Sequence, residues 1–76
     1  MSYGYSARMV SDIEGADPEH IGVRLGKLCV ARNVPVSSVA EKFGVTRQTV
    51  YTWFRGGSLP KEPVYTLVNE YLNSIA

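Results

Sequence analysis

Gly44 is the position that most narrows what this chain can become. It separates two apolar patterns of helical period, Val39, Ala40 and Phe43 before it and Val50, Trp53 and Phe54 after it, and residues three and four apart share one face of a helix. Glycine ends a helix at little cost because it enters the left-handed region without a side-chain penalty. The spacing predicts two short helices, 36–43 and 47–54, joined by a tight turn. Ser37 and Ser38 are placed to cap the first, Ser38 and Glu41 standing at the capping-box interval, and Thr46 is placed to cap the second. Ala40 is small where the two helices cross closely, and Val39, Phe43, Val45, Val50 and Trp53 supply a shared apolar wedge.

Further helices are expected on both sides of this unit. Asp17-Pro18-Glu19 reads as a helix start, with Asp17 as N-cap, Pro18 preset for the first turn and Glu19 favoured by the dipole. Ile21, Leu25, Leu28 and Cys29 then share one face of a helix over 18–32, with Arg24, Lys27 and Arg32 largely off it, and Asn33 and Pro35 stop it. Gly22 and Gly26 within it mark close helix packing. Gly56-Gly57-Ser58 is a turn. After Pro60 a helix over 61–74 closes the core with a stripe of Val64, Leu67, Val68, Tyr71, Leu72 and Ile75. Residues 1–16, with Tyr3, Gly4, Tyr5 and Gly15 and little period, read as an arm holding one or two helical turns around 7–13. The expectation is an all-α bundle of four to five helices, with the domain proper over 17–76.

Composition removes several function classes. The chain has 76 residues, and one this short buries only about 60% of the surface its unfolded form exposes, so a large enclosed active site is not expected. A single cysteine excludes an intramolecular disulfide, and one Cys with one His does not make a zinc site. No apolar run reaches the roughly 20 residues that cross a bilayer, and no signal-peptide pattern opens the chain, so a soluble, cytoplasmic protein of a bacterial or phage-infected cell is expected. No Gly-rich phosphate loop, carboxylate pair or nucleophile–base arrangement stands in the sequence, so neither an enzyme nor a cofactor or small-molecule ligand is expected. His20 reads as a surface or capping residue, Cys29 as an inert buried thiol and Trp53 as core, while Phe54 stays open between core and surface.

Charge is unevenly spread. The net of +1 divides into −3 over residues 1–20, +6 over 21–61, where seven Lys and Arg face Glu41 alone, and −2 over 62–76. A basic middle suits a polyanionic partner.

Residues 36–57 resemble the helix-turn-helix of the lambda repressor-like superfamily, which includes phage repressors and Cro-type proteins, and the flanking helices extend the resemblance to 17–72. In that superfamily the second helix of the unit lies in the major groove of double-stranded DNA. The resemblance therefore implies Arg47, Gln48, Tyr51 and Thr52 as base readers: arginine bonds guanine O6 and N7, and glutamine pairs with adenine N6 and N7. It implies phosphate contacts from Thr46, from Ser37 and Ser38, and from Arg55, Ser58 and Lys61 in and around the following loop. Many members carry a polar residue, often glutamine, at the first position of the motif, where this chain has Val36. A homodimer on palindromic half-sites is also implied, and Tyr65, Tyr71, Leu72 and Ile75 of the last helix are the apolar residues left over for it. The expected function is a sequence-specific transcriptional regulator, of the phage or mobile-element repressor type. Two other readings of the same fold are a module that binds a host factor or a toxin, and an architectural or packaging protein with little sequence preference.

Overall fold

The computed structural model describes residues 5–75 and folds them into five helices: α1 (Ala7–Glu14), α2 (Ile21–Ala31), α3 (Val36–Phe43), α4 (Arg47–Phe54) and α5 (Val64–Ile75). The expected all-α bundle forms, with no strand among the described residues. Tyr3, Gly4 and the side chain of Ile75, all part of the expectations above, lie outside the described residues.

α1 forms where one or two turns were expected, over Ala7–Glu14. Ser6 caps it, its hydroxyl accepting the Met9 amide at 3.1 Å. Tyr5, Met9 and Ile13, four residues apart, are all buried, so residues expected in an arm contribute to the core. Tyr5 is held at both ends. Its ring stacks on Phe54 with centroids 6.3 Å apart, and its hydroxyl donates to the Val34 carbonyl at 2.8 Å.

α2 packs against α1, α4 and α5. It starts at Ile21 and not at 18, because Asp17 spends its carboxylate on a local turn: Oδ1 accepts the Glu19 amide at 3.0 Å, and the Asp17 carbonyl accepts from His20 at 3.2 Å. His20 then becomes the N-cap, with Nδ1 accepting from Gly22 and Val23 at 3.0 and 3.4 Å. The close packing expected at Gly22 is present, since a methyl there would lie 2.5 Å from the Trp53 carbonyl oxygen. At Gly26 it would meet the Phe54 ring at 2.9 Å. Asn33 ends the helix in the left-handed region, φ 56°, while Val34 donates back to the Cys29 carbonyl at 2.9 Å.

α3 and α4 run over the residues expected. Gly44 joins them with φ 67°, and the Val45 amide closes the end of α3 onto the Ala40 carbonyl at 3.0 Å. Thr46 caps α4 as expected, accepting the Thr49 amide at 3.2 Å. The capping box expected at Ser38 and Glu41 does not form. Pro35 is the N-cap, without a side-chain cap, and its carbonyl accepts from Ser38 and Val39 at 3.0 and 3.4 Å. With the helix already begun, both serines sit in its first turn.

α5 begins at Val64 and not at 61. Pro63 offers no amide to the ladder, and the Glu62 carboxylate takes both the Thr66 amide, at 3.0 Å, and its hydroxyl, at 2.7 Å. Val68 and Leu72 are buried, whereas Leu67, expected in the same stripe, is 48% exposed. Leu72 is therefore core and not spare surface. Phe54 is also core, fully buried beneath α2.

Candidate nucleic-acid interface

α4 is fixed from beneath. Val50, Trp53 and Phe54 are buried against α2 and α3, so the opposite face is turned outward by helical geometry alone. On it Arg47, Tyr51 and Arg55 stand four apart, with Gln48 and Thr52 beside them. Arg47, Gln48 and Arg55 are exposed, and Tyr51 and Thr52 are half-buried. The four residues expected to read bases thus lie on one surface.

Their chemistry is unequal. Arg47 and Gln48 project from the first turn of α4, where backbone amides have no partner within the helix. Thr52 donates its hydroxyl to the Gln48 carbonyl at 3.1 Å, which leaves that oxygen as an acceptor. Tyr51 packs on the edge of the core, near enough to Tyr5 to add to the rise in that phenol's pKa, a rise caused first by burial and then by the neighbouring Cys29. The Thr46 hydroxyl is engaged with the Thr49 amide and lies 2.9 Å from the Thr49 hydroxyl.

Besides Thr46, the residues expected to meet phosphate fall in three places. Ser37 and Ser38 are exposed at the start of α3. Ser58 and Lys61 line a cleft of about 310 Å³ with Thr49, Trp53, Leu59 and Glu62, which sets them along the flank of α4. Arg55 stands at the other end, as the C-cap of α4, with Nε 3.7 Å from Asp12 Oδ2 of α1. Val36 is buried, so the first position of the motif presents no polar group to a phosphate.

The basic middle of the chain is not one patch. Lys27 lines the cleft between α1 and α2 together with Glu14, and Lys42 lies 5.0 Å over the Tyr71 ring. What the sequence concealed was Asp12. Its place beside Arg55 depends on α1 docking near the end of α4, and no local pattern announces that.

Among the described residues no group of three or more His, Cys, Asp or Glu is arranged to hold a metal ion, and no helix is long and apolar enough to cross a membrane. Cys29 is buried, and desolvation pushes its thiol up to about 11, which keeps it in the unreactive protonated form at neutral pH. Comparisons with protein-family models, with curated proteins and with solved structures return no match.

Proposed function

We propose that this chain binds double-stranded DNA sequence-specifically and regulates transcription, in the manner of a small phage or mobile-element repressor of the lambda repressor-like type. The observation that carries the reading is the outward face of α4. Arg47 and Gln48, the two side chains best matched to purine edges, are exposed at its N-terminal turn on a helix whose other face is buried. A rigid two-helix unit with such a turn leading is the arrangement that major-groove readers use. Ser58 and Lys61 on one flank, and Ser37 and Ser38 on the preceding helix, supply phosphate contacts that set the register.

The reading includes a homodimer formed through α5. Leu67 is exposed there beside a cleft that also carries Lys42 and Glu70. Opposite charges flanking an apolar residue suit a two-fold pairing, in which each copy's Lys42 meets the other's Glu70. A second reading draws on the exposed apolar residues: Leu59, Tyr65 and Leu67, 54, 38 and 48% exposed, also suit a module that binds another protein.

Fluorescence anisotropy against DNA from upstream of the protein's own gene and against scrambled duplex, each at two salt concentrations, tests the function. A preference of about 10³ or more, with affinity falling steeply as salt rises, is the expected result. Equal, salt-sensitive binding to both duplexes favours an architectural protein. No binding at low salt favours the protein-interaction module.

A further inference from the structure

We propose that Asp12 sets the strength of DNA binding by competing with a phosphate for Arg55; this rests on the DNA-binding reading above. The two residues come from different ends of the chain and meet beside the C-terminal end of α4, with Arg55 Nε 3.7 Å from Asp12 Oδ2 and both side chains about half exposed, at 52 and 42%. That distance exceeds hydrogen-bond range, so the carboxylate attracts the guanidinium without orienting it. Asp12 therefore does not hold Arg55 in a fixed pose toward DNA. It offers Arg55 an alternative partner, and places a negative charge where a phosphate gripped by Arg55 would lie.

The neighbourhood strengthens the effect. Gly56, next in the chain, packs near Ala16 and His20, which brings the segment between α1 and α2 to this end of the reading helix. That segment and the end of α1 hold Asp12, Glu14, Asp17 and Glu19 without a Lys or Arg. The far end of α4 has Arg47 exposed in its first turn, and Lys61 lies on the flank of the helix beside Glu62, whose carboxylate is taken up by Thr66. Under this reading DNA is drawn to the N-terminal end of α4 more than to the C-terminal end, where Asp12 is the acidic group placed beside Arg55. Arg55 grips the backbone only when this pair opens.

The test needs no operator, because backbone contacts are insensitive to sequence. Anisotropy with a mixed-sequence 20-base-pair duplex, about two turns of DNA, compares the unaltered chain, Asp12→Asn, Arg55→Gln and the double variant, with circular dichroism to establish that all four are folded. Asp12→Asn is expected to bind about two- to five-fold more tightly, the range spanned by exposed ion pairs. Its affinity should also fall more steeply with salt, by a slope of up to about 0.9 for one added phosphate contact. In the Arg55→Gln background the gain should vanish. An unchanged or weaker Asp12→Asn overturns the proposal, a weaker one meaning that Asp12 supports Arg55. An equal gain with and without Arg55 also overturns it, leaving general repulsion as the cause. If the unaltered chain does not bind at low salt, the DNA-binding reading fails and the proposal falls with it.

Discussion

A methyl group added at Gly22 would meet the Trp53 backbone, whereas one added at Gly44 would find nothing within 4 Å. Gly44 instead has φ 67°, so Gly44→Ala costs backbone strain alone, about 1–2 kcal/mol. Gly22→Ala pushes α2 off α4, because a carbonyl cannot rotate aside as a side-chain tip can, and costs about 3 kcal/mol. Urea midpoints at unchanged slope check this order. Reversal would mean that α2 slides on α4 freely. Cys29 carries a second prediction at this scale. Its thiol is raised from an ordinary 9.0 to about 11 by burial, so above pH 9 the unfolded chain sheds a proton that the folded chain keeps. The associated stability is complete below pH about 9 and is lost as pH climbs toward 11. Tyr5, also raised by burial, adds to the loss at the upper end. Urea midpoints should decline through this window, and Cys29→Ala should flatten the early part of the decline even though the variant starts from a lower value.

For helices, what was legible in the sequence depended on how local the determinants are. The limits of α3 and α4 follow from Gly44 and Thr46, which act on adjacent turns, and the outward face of α4 follows from helical period. The starts of α2 and α5 were hidden by competing signals. Asp17 looks like a cap but closes a turn of its own, and Pro60 looks like the last breaker although Pro63 follows. α1 was least legible, since Tyr5 owes its burial to Phe54 and Val34 far along the chain. The Asp12–Arg55 pair was missed for the same reason. Under the proposed function the helices carry distinct tasks that mutation separates. Arg47→Ala and Gln48→Ala should each cost about 1–3 kcal/mol on the preferred duplex and far less on scrambled DNA. Lys61→Ala should weaken both duplexes alike and flatten the salt slope by about 0.9. Equal losses on both duplexes for Arg47→Ala would remove it from the base-reading role.

As a whole, the molecule measures 31 × 24 × 23 Å. Half-sites one DNA turn apart are separated by about 34 Å, a distance two copies span side by side. Pairing through α5 would place Leu67 at the contact, so Leu67→Glu should yield monomers in sedimentation at concentrations where the unaltered chain pairs, and should weaken binding to a palindromic site more than to a single half-site. Unaltered sedimentation would move the interface elsewhere. The position of the single tryptophan bears on all these measurements. Trp53 is 3% exposed on the inner side of α4 and borders the cleft that Ser58 and Lys61 line. Its burial makes its emission a monitor of whether the chain is folded, and under the proposed function docking on the outward face of α4 should change that emission far less than unfolding does. Read beside the anisotropy of a labelled duplex in one cuvette, it distinguishes a variant that has lost its grip on DNA from one that has lost its shape.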